Sequence, residues 1–368
     1  MDIDNLKIGI ALSGGGIRAT VFHLGIFKYL AEQGLMSHVA SISSVSGASL
    51  CVGLIVAKNG LKWPSDKEYL EKVLPQIEET VLGNDIQRDT LWRLPFSPAY
   101  WWNRVELVAK TIEKSWGVNG TLQDLPDYPH WEINCTTFET GKNFRLRKDY
   151  MGDYVVGYVQ KPALQISEVI AASAGFPILI GPYKIKTDKY QWTRNKMGGG
   201  HKEPAESVYT LWDGGVYDNL GLEALYKVEK GLDSEINFLI ACNASCSIGY
   251  KSRKGNMSVS NIMRLLDITM DQVLALRSRD IRSSVVSKGK GLYIEIEKSA
   301  FQIFGKKRAE SEEIKALIAS CLTPEEVQKV SKYATTLSTP TVENYRLILQ
   351  HGYENAKCTF MRYEPIVR

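Results

Sequence analysis

A serine set in a sharp turn between a strand and a helix constrains this chain more than any other feature. Residues 41–57 read SISSVSGASLCVGLIVA. An apolar, hydroxyl-rich run over 39–43 is strand-compatible, a helix-compatible run follows from Gly47, and Ser46 stands at the apex between them. Such a turn holds a hydroxyl clear of both elements and aims helix N-terminal amides at it, which is what a nucleophile elbow requires. The usual pattern is G-x-S-x-G. Here it reads Ser44-Val45-Ser46-Gly47-Ala48, so the outer glycines are replaced by the next-smallest residues, which keeps the tight turn at some steric cost.

Residues 7–12 alternate apolar with small side chains and predict a buried first strand. It runs into Ser13-Gly14-Gly15-Gly16-Ile17-Arg18, after which Val21, Leu24, Ile26, Phe27 and Leu30 recur at helical spacing up to Gly34. A glycine turn at a helix N-terminus converges backbone amides on negative charge. Two functions use such a turn. Gly14-x-Gly16-x-x-Ala19 satisfies a dinucleotide fingerprint, which also needs an acidic residue about twenty positions on, at the end of the second strand. That strand ends in Ser43-Ser44. The other use is an oxyanion hole, and the candidate nucleophile standing where the acid should be favours it.

Further along, residues 62–116 read as helical, with aromatics dense over 91–104. Those rings fit either a cap buried on the sheet or an interfacial patch, apolar body down and arginines in water. Residues 131–137 predict a strand, 142–147 its partner across a turn, and 166–174 a helix. Residues 183–210, polar and centred on Gly198-Gly199-Gly200, predict an exposed, mobile insertion. A short strand then ends at Asp213, and Gly214-Gly215 turn the chain sharply and leave the Asp213 carboxylate on an exposed loop. Strands over 236–241 and 292–296 flank a long amphipathic helix over 262–282, and helices follow from 311. The stretch 277–308 is locally basic, either a solvated face or one that meets phospholipid.

Composition narrows the class. In 368 residues, 44% hydrophobic and 23% charged, there is enough apolar material for a sizeable core. A net charge of +4 is too mild to argue for nucleic acid and compatible with an anionic membrane surface. No run approaches a bilayer span and no signal peptide opens the sequence, so a cytoplasmic protein, soluble or peripheral at a membrane, is expected. Six scattered cysteines point to a reducing compartment. Five single histidines without paired ligand spacing give no reason to expect a metal or another cofactor.

Taken together, SGGGIR, SVSGAS and the distant DGGVYDN supply an oxyanion hole, a nucleophile and a carboxylate. In this combination the sequence resembles the patatin-like phospholipase family, and the segments INCTTFETG, AASAGFP and MDQVLALRSR extend the likeness over most of the chain. The resemblance implies a three-layer α/β/α fold with a central, mostly parallel sheet. It implies acyl-ester hydrolysis on glycerolipids by a dyad of Ser46 as nucleophile and Asp213 as base. It further implies an oxyanion hole of the Gly14, Gly15 and Gly16 amides buttressed by Arg18, with Gly47, Gly214 and Gly215 in support. No histidine has a part in that scheme. Since a carboxylate is a weak base, partial burial should raise its pKa. The corresponding domain plan is a catalytic unit over 1–300, with a helical cap near 62–116 and the 183–210 insertion, and a helical extension over 301–368.

Overall fold

The computed structural model describes residues 3–93, 104–176, 180–250, 252 and 258–364. From β1 (Ile8–Leu12) the chain crosses the glycine turn into α1 (Gly16–Glu32), returns in β2 (Val39–Ser44) and leaves the serine turn in α2 (Gly47–Lys58). Helices α3 (Asp66–Glu68), α4 (Leu74–Gly83), α5 (Ile86–Arg93) and α6 (Arg104–Trp116) form the expected helical stretch. Of its aromatic segment, residues 94–103 lie outside the described residues. A meander follows: β3 (His130–Thr137), β4 (Asn143–Leu146), β5 (Tyr150–Asp153) and β6 (Gly157–Gln160). Next come α7 (Ile166–Ser173), β7 (Tyr183–Lys186), β8 (Trp192–Thr193), β9 (Val208–Asp213), α8 (Gly215–Asp218) and a small hairpin of β10 (Tyr226–Lys227) and β11 (Gly231–Leu232). The chain closes with β12 (Phe238–Asn243), α9 (Val259–Ser284), β13 (Gly291–Glu295), α10 (Ala300–Arg308), α11 (Glu312–Ser320), α12 (Pro324–Ser331) and α13 (Val342–Tyr363).

Strands β13, β12, β1, β2 and β3 are mutually parallel, and β4, β5, β6 and β8 extend the sheet as an antiparallel wing. The parallel strands are buried on both faces, so they read as continuous apolar runs. Ile8, Ile10 and Leu12 join the core beneath α1, α2 and α13, whereas Ala11, Leu239 and Ala241 join a second core with Ile281 of α9. Helices on both faces give the three layers. On the first face α13 lies against α1 with Gly25 and Gly352 at the crossing, where a Cβ on either would run into the other helix's backbone.

One register relation positions the site. β2 pairs with the first half of β3, as far as Ser44 beside Ile133, and β9 takes the same edge of β3 from Cys135 onward, with Asp213 opposite Cys135. β9 is antiparallel to β3, so the C-terminal ends of β2 and β9 meet head-on. Asp213 is thereby brought to the serine turn across 167 residues of sequence.

The 183–210 segment departs from the expected exposed insertion. β7 pairs with β9, β8 pairs with β6, and Tyr183, Ile185, Trp192 and Tyr209 are buried. Tyr183–Lys186 alternates buried and exposed residues, the period-2 signature of a strand with one face on the core. Lys186 and Val208 pair at the end of β9 remote from Asp213, and within residues 187–207 β8 joins the antiparallel wing beside β6.

Candidate active site

Ser46 caps the N-terminus of α2 with φ 53° and ψ −118°, a conformation that an L-residue adopts only under strain. Such outliers cost on the order of 1–3 kcal/mol and persist where the surroundings impose them. The next residue shows the constraint: a Cβ at Gly47 would run into the backbone carbonyl of Gly16. Thr20 then ties the two helix starts together, its hydroxyl donating to the Gly47 carbonyl at 2.8 Å and the Gly16 carbonyl at 3.1 Å.

A buried relay underlies the turn. Trp131 Nε1 donates to Ser44 Oγ at 2.8 Å, the Ser44 and Ser49 hydroxyls meet at 2.9 Å, those of Ser49 and Ser173 at 3.0 Å, and Ser173 donates to the Asn134 carbonyl at 2.8 Å. With the last donor fixed, each hydroxyl donates to the next. Ser173 Oγ in turn accepts from the Ser46 backbone N–H at 3.0 Å. Ser44, where the usual elbow has glycine, is thus a hydrogen-bonding member of the support. Nothing in the sequence motifs marks Ser173 or Asn134 as a support, although they lie in the AASAGFP and INCTTFETG segments respectively. Ser173→Ala leaves the Ser46 N–H and the end of the relay without partners, an expected cost of about 1–3 kcal/mol. Urea denaturation should show that loss, together with a kcat about tenfold lower on a soluble ester and little change in KM.

Asp213 is 3% exposed, which corrects the expectation of a carboxylate on an exposed loop. Burial is a consequence of β9 pairing along β3, and it pushes the Asp213 pKa up to about 6. The Gly215 N–H, donating at 2.7 Å, and the neighbouring Ser46 hydroxyl pull it partway back. The two glycines after it have ordinary negative-φ conformations or helical ones, and their role is proximity rather than turning. Gly214 rests on the Asn134 carbonyl, and Gly215 begins α8 against Asn219.

Of the three glycine amides expected to face an oxyanion, the Gly14 N–H instead donates to the Asn219 carbonyl at 3.2 Å. This removes Gly14 as a free donor. It has a packing role, since a Cβ there would sit 3.0 Å from Ser46 Cβ. Gly15 (φ 143°) and Gly16 (φ 60°) line the cavity beside Ser46, and their N–H groups find no protein acceptor among the described residues. Arg18, 5% exposed, holds the surrounding loops by donating to the carbonyls of Ala244, Ser331 and Tyr333. Thr336 carbonyl accepts from Ile17 N–H at 2.8 Å on the same turn. Asn219, the last residue of DGGVYDN, latches the two loops together and donates from Nδ2 to Ser245 Oγ at 2.7 Å.

Ser46, Asp213, Gly15, Gly16 and Asn219 share a cavity of about 680 Å³ with Leu91, Val108, Phe176, Ile180, Met270, Leu274 and Leu337. No histidine lines it among the described residues. His23 Nε2 contacts the Ser13 carbonyl at 2.9 Å in full burial, which lowers its pKa to about 4. His38 contacts Leu6, His130 pairs with Glu235, His201 with Glu203, and His351 contacts the Ile296 carbonyl. The hydroxyls at the end of β2 are also engaged within the fold, Ser43 donating to the Gly221 carbonyl at 2.6 Å and Ser44 in the relay. Among the described residues no group of three His, Cys, Asp or Glu side chains comes together as a metal site.

A family model described as patatin-like phospholipase matches residues 10–226. No curated protein sequence matches the chain. Among solved structures, human GIVD cytosolic phospholipase A2 is similar with a TM-score of 0.55 at 12% identity, over 98% of this chain and 63% of that one. The same human protein in complex with methyl gamma-linolenyl fluorophosphonate gives a TM-score of 0.51 at 12% identity, over 98% and 59%. VipD from Legionella pneumophila gives 0.42 at 13% identity, over 97% and 67%. This chain thus spans about three-fifths of the human chains, and at such identity the likeness to them is one of fold.

Proposed function

Because the chain belongs to the patatin-like phospholipase family, we propose that it is a lipid acyl hydrolase in which Ser46 and Asp213 form a catalytic dyad. The observation that carries this reading is a strained serine at a helix N-terminus, beside a buried carboxylate, on the wall of a cavity whose apolar lining outweighs polar residues such as Arg104, Asp267 and Asp271. Ser46 Oγ attacks the ester carbonyl while Asp213 accepts its proton, and the Gly15 and Gly16 amides receive the charge on the carbonyl oxygen. The leaving alcohol takes the proton back from Asp213. Water, deprotonated by Asp213, then releases the fatty acid from the acyl-enzyme. A base with a pKa of about 6 is mostly ionised at neutral pH yet more basic than an ordinary aspartate. Mixed phospholipid vesicles incubated with the protein should yield free fatty acid, and Ser46→Ala should yield none.

The lipid is reached, on this reading, by peripheral contact at the end of the sheet that carries the serine turn. No helix among the described residues is long and apolar enough to cross a membrane. Leu91 lines the cavity while 59% exposed, its neighbour Trp92 is 71% exposed, and Ile262 and Leu265 of α9 are exposed as well. The basic contribution falls elsewhere than expected. Arg277 pairs with Asp218 and Glu223, and Arg282 with Glu295, so these two are engaged within the fold. Residues 184–202 instead carry six Lys or Arg against Asp188, and Lys184, Lys186, Lys189, Arg194 and Lys196 are exposed. Trp92→Ala should weaken binding to anionic vesicles about tenfold or more, from the lost apolar burial. Lys184→Glu with Lys186→Glu should weaken it further and flatten its salt dependence. Hydrolysis of a soluble short-chain ester should not change in either variant. Vesicle flotation indifferent to both variants and to salt contradicts this surface.

A further inference from the structure

Cys321 and Cys358, on the C-terminal helices, have no part in the hydrolase reading. All six cysteines are free thiols, and these two have their sulfur atoms 4.0 Å apart. Cys321 is the half-buried residue that ends α11, whereas Cys358 is fully buried on α13. The Cys358 sulfur alongside and the nearby Lys357 ammonium lower the Cys321 thiol pKa, and the Cys321 sulfur together with burial raises that of Cys358. The pair therefore has an accessible, activated thiol and a sequestered partner, the division of labour between an attacking and a resolving cysteine. A disulfide needs the sulfurs at about 2.05 Å, so they must close from 4.0 Å, and Cys321 stands at the end of α11 rather than within it.

The position of the pair gives a bond there a structural consequence. α11 contains no buried residue and is held by a small apolar cluster of Ile314, Leu317 and Ile318 against Ile303, Phe304 and Cys358. Directly after Cys321 the chain enters α12 and then residues 331–337, whose carbonyls hold Arg18 and Ile17 at the glycine turn. Cys321 thus anchors the start of a strap that ends at the cavity wall.

We propose that Cys321 and Cys358 are a redox modification site, oxidised by hydroperoxides to a reversible disulfide that staples α11 and the head of this strap to α13. The Cys321 thiolate attacks the terminal peroxide oxygen, the O–O bond breaks, and the hydroxide (from hydrogen peroxide) or alkoxide (from an organic hydroperoxide) takes up the proton given by the thiol and leaves as water or alcohol, with Cys321 left as the sulfenic acid. The Cys358 sulfur attacks the Cys321 sulfur, the S–S bond forms as the S–O bond breaks, and the second hydroxide leaves as water with the Cys358 proton. Two thiols are oxidised by two electrons and one hydroperoxide is reduced. The proposal holds whether or not the chain hydrolyses lipid.

The test treats the whole protein with hydrogen peroxide, blocks remaining thiols under denaturing conditions and maps peptides by mass. The expected result is loss of two of the six thiols, a bridged Cys321–Cys358 peptide lighter by two hydrogens, and full recovery of both thiols with dithiothreitol. Amide exchange over 312–323 should slow in the oxidised protein. Cys321→Ser and Cys358→Ala, checked for unchanged circular dichroism, should each abolish the bridge. Oxidation of Cys321 to sulfinic acid without a bridge, a bridge to Cys246, or six intact thiols would each overturn the proposal.

Discussion

Replacing Ser46 with alanine is expected to lower kcat/KM by at least about 10⁴-fold on any ester the protein cleaves, the range seen when a nucleophile is removed from a preorganised site. The loss should lie in kcat, because the cavity proposed to take the acyl chain does not depend on the hydroxyl. The fold should survive. Alanine has the same steric limits at φ 53° as serine, and the Ser46 N–H keeps its bond to Ser173. Ser46→Gly provides the complementary test of strain, since glycine adopts that conformation freely. It should be as inactive as alanine, with a urea midpoint above that of the wild type, and a lower midpoint would argue against strain at this residue.

Asp213→Asn should lose about 10³- to 10⁴-fold in kcat while becoming more stable at neutral pH. The sign follows from proton linkage. A buried carboxyl with a folded pKa near 6, against 3.8 as its ordinary value, binds its proton more tightly in the folded than in the unfolded protein. Stability contributed by this group is therefore greatest below about pH 4 and declines as pH rises from there to about 6, above which the loss is complete. The shift corresponds to a deficit on the order of 3 kcal/mol at pH 7, at about 1.4 kcal/mol per unit. Asparagine keeps an acceptor for the Gly215 N–H without the buried charge. Denaturation of the two proteins across pH 4–8 should show the variant gaining on the wild type as pH rises. Wild-type kcat should run the other way, falling about tenfold per unit below pH 6 as the base is protonated. A variant equally unstable at pH 7, or a wild-type profile flat to pH 4, contradicts a buried base.

What sequence makes legible here is local. The small residues around Ser46 and the glycine turn before α1 announce themselves because strand, turn and helix are contiguous and each has its own period. Features that depend on distant pairing are hidden. Asp-Gly-Gly has the composition of an exposed turn, and only the continuation of β3 past the end of β2 shows that Asp213 is enclosed. The Gly14 amide looks identical to its two neighbours until the Asn219 carbonyl arrives from 205 residues away. Ser173 supports Ser46 across 127 residues, and nothing in its own segment distinguishes a supporting hydroxyl from a core serine. In residues 183–210 the polar loop and its three glycines outweigh a strand only four residues long, although the Tyr183 and Ile185 alternation was present.

Covalent labelling with a lipid-like fluorophosphonate reads both proposed roles at once, Ser46 as nucleophile and Asp213 as its base. The reagent phosphonylates a serine only where an adjacent base and an oxyanion site activate it. Mass mapping of the labelled protein should place a single adduct on Ser46, at a rate that falls below about pH 6 and becomes negligible in Asp213→Asn. An adduct on any other serine, or undiminished labelling of Ser46 in Asp213→Asn, would contradict a Ser46–Asp213 dyad.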